Sequence, residues 1–186
     1  MTVTVREHSL LQQLARSVDR LASVPALLIL VLLAALFPFV LFPAHGIGEM
    51  VPLDLQFSYG SARVNDHLAA LGAEGRRAYI SMLMTSDMVF PLVYATALSI
   101  ALMLVLCRGL AAGGNSLCLF PYLIVMADWG ENLCLAAAVR GFPGQANALA
   151  RYASACTSLK WVLLAATLLV LLVAVVFRVA GKTRGR

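Results

Sequence analysis

Apolar residues in this chain come in runs longer than the core of a soluble domain requires. Four segments, about 23–43, 78–106, 116–139 and 148–178, are almost continuously apolar. A helix of roughly 18 or more such residues crosses a hydrocarbon layer about 30 Å thick. The expected fold class is therefore an all-α membrane protein. It is an antiparallel four-transmembrane-helix bundle making one domain over residues 1–186. The second and third runs are joined by Arg108–Asn115, the third and fourth by Gly141-Phe-Pro-Gly144. Such short, Gly- and Pro-punctuated connections make consecutive helices antiparallel neighbours. Gly130, Cys134 and Ala138, and likewise Ala97 and Ala101, recur at helical spacing and permit close backbone approach.

Between and before these runs the pattern changes. Residues 1–22 carry Arg6, Arg16 and Arg20 ahead of the first run, which suits a short interfacial helix. The first run is longer than the roughly 7–15 residues of a secretory signal core, and no A-x-A-like site follows at Phe42–His45. It is expected to be a retained span. The one long connection, about 44–77, is expected to cap the outer mouth of the bundle as a lid; a spacer resting on lipid headgroups is the alternative. Within it, Val51–Tyr59 alternates apolar and polar residues, which predicts an extended segment. Ser61 is expected to cap a short helix running to Leu71, with Val64, Leu68 and Leu71 on one face and Gly72 as its stop.

Composition agrees with this pattern. Of 186 residues 61% are hydrophobic and only 12% charged, far from the balance of a soluble domain. The net charge of +5 suits anionic headgroups rather than nucleic acid. Outside the apolar runs, Arg6, Arg16, Arg20, Arg108, Arg178, Lys182, Arg184 and Arg186 fall on the side of both termini. Arg63, Arg76, Arg77, Arg140 and Arg151 fall on the other. That excess places both termini in the cytoplasm, with the inner (plasma) membrane of a bacterium as the expected location. The four cysteines, Cys107, Cys118, Cys134 and Cys156, show no metal-binding spacing. Buried free thiols are the favoured reading, with a Cys134–Cys156 bridge as the alternative.

The candidate chemistry lies inside the apolar runs. Asp87 falls in the second, Asp128 and Glu131 in the third, and Lys160 in the fourth. Ionisable groups in such surroundings are costly and mark functional sites by default. Counted from the expected outer ends, Asp87, Glu131 and Lys160 lie at similar depth, roughly 12–18 Å in at 1.5 Å per residue. Asp128, Glu131 and Asn132 stand at i, i+3 and i+4 and so share one face. Thr157, Lys160 and Trp161 repeat that spacing, and Asp87, Pro91 and Tyr94 make a third stripe. Pro91 has no N–H for the carbonyl of Asp87, so a free backbone acceptor joins the carboxylate.

Three carboxylates against one ammonium leave negative charge in excess, which protonation, a cation or water must offset. Paired acids in unlike environments serve acid–base chemistry and also proton-coupled transport. A buried salt bridge that only fixes helix register is an equally weighted structural account. The candidate catalytic groups are Asp87, Asp128, Glu131 and Lys160; Asn132, Tyr94, Thr157 and Trp161 are candidate substrate contacts. Against that, Asn132 and Thr157 suit interhelical hydrogen bonds. Trp129, Trp161, Tyr79 and Tyr152 suit interface anchoring. His45 and His67 fall in the outer connection. Oxygen ligands for a divalent metal are available, but no metal or cofactor is expected, since no recognised ligand spacing occurs.

As a set, Leu71-Gly-x-x-Gly75-Arg76-x-x-Tyr79, Asp87-x-x-x-Pro91-x-x-Tyr94, Asp128-x-x-Glu131-Asn132 and Thr157-x-x-Lys160-Trp161 resemble a family of small four-span integral membrane proteins to which no activity is assigned. The resemblance covers about 71–161 and implies that these polar residues belong together. Proton-coupled four-helix multidrug exporters carry a carboxylate in their first helix, which is absent here. The His and Glu pattern of four-span sterol isomerase relatives is absent too.

Three functions remain open on the sequence. One is binding or acid–base processing of a lipid-soluble substrate that enters from the bilayer. Another is proton- or cation-coupled transport by a small carrier. The third is a non-catalytic accessory subunit. Expected partners are the lipid bilayer, a lipid-like or small cationic ligand, and a second copy or another membrane protein, with no nucleic acid.

Overall fold

A computed structural model describes residues 10–40, 53–110, 114–144 and 146–184. Among them the protein is all-α, without a strand. The helices are α1 (Leu10–Leu21), α2 (Val24–Val40), α3 (Ser61–Ala70), α4 (Gly72–Met84), α5 (Ser86–Val105), α6 (Tyr122–Arg140) and α7 (Ala146–Arg184). Three helical stretches, Gly72–Gly109, Gly114–Arg140 and Asn147–Gly181, are long and apolar enough to cross a membrane. The pair α1 and α2, bent by 93°, adds a fourth if taken as one span. Arg6, His45 and most of the first half of the expected lid lie outside the described residues.

Helix α1 is amphipathic, with Ala15 and Val18 buried and Arg16 and Arg20 in the open. Asp19 ties it to the far end of α5 through Arg108, whose Nε lies 2.8 Å from the Asp19 carboxylate. A second bond runs from Arg108 to the Ala22 carbonyl at 2.9 Å. There the chain turns into α2, and the Ser23 hydroxyl accepts the Ala26 N–H at 3.3 Å as a helix cap.

The expected span over 78–106 lies within the apolar stretch Gly72–Gly109, but its helix is interrupted once. α4 ends at Met84, and Thr85, with φ −122° and ψ −89°, interrupts the ladder before α5 begins at Ser86. Asp87 therefore sits in the first turn of α5 instead of deep within a continuous helix. The Thr85 hydroxyl donates to the Ser81 carbonyl at 2.6 Å, a local bond that competes with regular helix.

Apolar packing divides into two clusters with the candidate polar residues between them. At the cap end, Leu53, Tyr59, Val64 and Leu68 meet Tyr79, Met82 and Leu83 of α4, Leu135 and Val139 of α6, and Ala150 and Ala153 of α7. At the base end, Ala15 and Val18 of α1 meet Ile100, Leu102 and Met103 of α5, with Cys107 and Cys118. The most extensive helix pair is α6 with α7. Gly130 permits their approach, since a Cβ there would stand 3.1 Å from the Cys156 sulfur. All four cysteines are free thiols, so Cys134 and Cys156 are not bridged.

Helix α3 starts one residue earlier than the capping argument predicts. Gly60 occupies the cap position and Ser61 is the first helical residue, so its hydroxyl caps nothing. Gly72 adopts φ +62° at the corner between α3 and α4, in keeping with its expected role as a stop. The extended reading of Val51–Tyr59 fails within the described part, because Leu53–Leu55 form a 3-10 turn. Its polar backbone and side chains turn to α7 instead of pairing with a strand.

Candidate functional site: an acid–lysine cluster beside an apolar cavity

The spacing on α6 does what helical geometry requires. Asp128, Glu131 and Asn132 emerge from one face, and all are at most 4% exposed. Lys160 of α7 reaches that face, its Nζ 2.8 Å from Glu131 Oε2 and 3.2 Å from Asp128 Oδ1. Tyr94 of α5 donates its hydroxyl to Asp128 Oδ2 at 2.8 Å. The third stripe enters through backbone as well. The Asp87 carbonyl, denied a helical partner by Pro91, accepts the Asn132 amide N–H at 3.0 Å. Pro91 thereby fixes a bond between α5 and α6.

Two members of the cluster escaped the sequence reading. Tyr59 donates its hydroxyl to Glu131 Oε1 at 3.0 Å, and Asp54 stands 4.0 Å from Lys160 Nζ. Both come from the segment before α3, which straps onto α7. There the Tyr59 N–H donates to Ser154 Oγ at 2.9 Å, Ser158 donates to the Phe57 carbonyl at 2.9 Å, and Trp161 Nε1 donates to the Asp54 carbonyl at 3.1 Å. The Thr157 hydroxyl lies 3.1 Å from the Tyr59 oxygen and 2.9 Å from the Ala153 carbonyl, which share its proton. Ser154, Thr157, Ser158 and Trp161 stand at i, i+3, i+4 and i+7, so a stripe of hydrogen-bonding residues on α7 was the signal for the strap. Burial and the Glu131 carboxylate push the Tyr59 hydroxyl well above its ordinary pKa, which keeps it a donor.

Beside the cluster lies a cavity of about 400 Å³. Its apolar wall is made by Val31 and Ala34 of α2, Phe90, Ala97 and Leu98 of α5, Leu164 of α7, and Leu55. Asp54, Asp87, Tyr94, Asp128, Lys160 and Trp161 supply the polar end. This is the composition of a ligand pocket: mostly apolar, with few convergent polar groups. Val31 is about half exposed, so the α2 wall borders the protein surface. The chain matches no protein-family model, no curated protein and no solved structure.

The candidate residues thus separate into two groups. Glu131, Asn132 and Thr157 are enclosed by protein and bonded to the scaffold, whereas Asp87, Tyr94, Asp128, Lys160 and Trp161 face the cavity. Asp128 is already held from both sides, by Tyr94 and Lys160. Asp87 differs from every other acid of the cluster. It is 3% exposed and lines the cavity, yet its carboxylate meets no hydrogen-bond donor or cation among the described residues. Trp129 and Tyr79 are packing residues: Trp129 Nε1 donates to the Met88 carbonyl at 2.9 Å, and Tyr79 is buried edge-on to His67. Tyr152 is exposed and outside the cluster.

Proposed function

We propose that this chain is an integral membrane protein of four spans that binds a lipid-soluble substrate in the cavity and exchanges protons with it through Asp87. The cavity carries this reading, because an apolar wall leads to a carboxylate that no described residue pairs with. Asp128 and Lys160 orient the polar end of the substrate, and Glu131 anchors Lys160. The spans are α2 with the interfacial α1, the α4–α5 unit, the stretch ending in α6, and α7. The face that α7 leaves uncovered from Leu168 to Val179 supports insertion, since a surface so continuously apolar is unstable in water. At 39 residues α7 extends about 58 Å, well beyond a hydrocarbon layer of about 30 Å. Its first half therefore stands with the cap outside the hydrocarbon, and the cluster lies near that boundary. The balance of basic residues supports placing the cap outside and both termini in the cytoplasm.

Filling the cavity tests this function. Leu98→Trp, placed on its apolar wall, is expected to leave the folded protein intact and to abolish saturable uptake of apolar probes by protein in lipid nanodiscs. Unchanged uptake by the filled variant would remove the cavity from the account.

A further inference from the structure

The charge around the cavity is unbalanced. Asp54, Asp87, Asp128 and Glu131 gather about a single ammonium, Lys160. That ammonium is already engaged by Glu131 at 2.8 Å and Asp128 at 3.2 Å, with Asp54 at 4.0 Å. Glu131 has a second bond from Tyr59, and Asp128 has one from Tyr94. Every acid but Asp87 thus has a proton donor or cation from the protein directed at it. The carboxylate left over faces the cavity from the first turn of α5.

The walls near Asp87 suit a positive charge attached to an apolar body. Phe90 and Tyr94 stack edge to face at 5.2 Å, Phe37 extends the row at 5.1 Å from Phe90, and Trp161 also lines the cavity. Aromatic faces attract ammonium groups, the more so away from water. Beyond them Val31, Ala34, Leu98 and Leu164 offer only hydrocarbon. A neutral lipid would fill the same walls and leave Asp87 without a partner, which is costly for a buried acid.

We propose that the substrate of this cavity is a lipophilic ammonium compound, whose cationic head pairs with Asp87 and whose apolar body lies against α2, α5 and α7. This rests on the reading of the cavity as a ligand pocket and adds the charge of the ligand. The site then sets two cations against the four carboxylates of the described residues, and the Asp87 carboxylate acquires the partner that none of those residues provides.

Trp161 reports the test directly. In a Trp129→Phe background it is the single tryptophan, and the protein is placed in nanodiscs of zwitterionic phosphatidylcholine. Two bromine-bearing quenchers of equal chain length are titrated, bromooctyltrimethylammonium and neutral bromooctanol. The expected result is saturable quenching by the ammonium, at least tenfold tighter than any by the alcohol and at least tenfold weaker in Asp87→Asn. Equal saturable affinity for both probes, or ammonium binding unchanged in Asp87→Asn, would overturn the ligand charge and leave the pocket standing. Absence of saturable quenching by either probe would overturn the pocket and the ligand together. The comparison of ammonium with alcohol on the unsubstituted Asp87 decides the matter even where Asp87→Asn does not fold.

Discussion

The two halves of α7 are one continuous helix in two different surroundings. From Ala150 to Lys160 it presents Ser154, Thr157, Ser158 and Lys160 to partners on the strap and on α6, and apolar Ala150 and Ala153 to the cap core. From Leu168 to Val179 nearly every large side chain is apolar and exposed, with Ala174 the buried exception. The first half is positioned by side-chain hydrogen bonds and ion pairs, which have direction. The second would, in the proposed bilayer, be positioned by its affinity for an apolar surrounding, which has none. Charge inside such a molecule is tolerated where the two regimes meet, because protein donors from the first half are still within reach.

The largest effect is expected where that junction is broken. Lys160→Met leaves Glu131 and Asp128 buried without their cation and is expected to destabilise the protein by about 3–5 kcal/mol. Thermal unfolding in nanodiscs measures it, and a loss below about 1 kcal/mol would show that the cluster does not hold α6 to α7. Leu169→Lys, on the exposed face of the second half, is expected to reduce insertion of α7 at a cost of about 2.5–3.5 kcal/mol. A glycosylation-based insertion assay reads this directly, and Tyr152→Lys in the first half, equally exposed, is the control expected to be neutral. Equal effects at the two positions would erase the contrast. Tyr59→Phe removes the bond to Glu131 and the acceptor for Thr157, with an expected cost of about 1–3 kcal/mol and detachment of the strap. Hydrogen exchange at residues 53–59 checks the second part.

The smallest effect concerns the cap. His67 is 2% exposed, and neither ring nitrogen has a hydrogen-bond partner among the described residues. Burial, aided by the nearby Arg63, lowers its pKa below the ordinary value. The unfolded chain then binds a proton that the folded one refuses, so stability falls as pH drops through the ordinary histidine value of about 6.5 and below. Above it the contribution vanishes. His67→Phe is expected to flatten that part of the stability profile, and an unchanged slope would assign the pH response to another group.

Much of this was legible along the chain, for a physical reason. The apolar runs, the faces shared by Asp128, Glu131 and Asn132, and the carbonyl freed by Pro91 all follow from helix geometry over a few residues. Asp54 and Tyr59 were missed because they reach α6 and α7 from an irregular segment, where no period ties a residue to a direction. The polar stripe on α7 at Ser154, Thr157, Ser158 and Trp161 held the matching half of that contact. The break at Thr85 was hidden for a different reason. Apolar composition continues across it, and composition reports on surroundings, whereas the interruption depends on backbone angles. That break places Asp87 in the first turn of α5, where it lines the cavity.

A pair of isosteric substitutions tests the central distinction between anchored and free acids. Glu131→Gln and Asp87→Asn each replace a buried carboxylate with an amide, and each is measured for thermal stability and for saturable binding of bromooctyltrimethylammonium in nanodiscs. The account predicts a split: Glu131→Gln loses stability through its broken contact with Lys160, whereas Asp87→Asn keeps the stability of the parent protein and loses binding. Large and equal destabilisation by both substitutions, with binding retained by whatever Asp87→Asn protein remains folded, would contradict it and make the cluster a structural lock throughout.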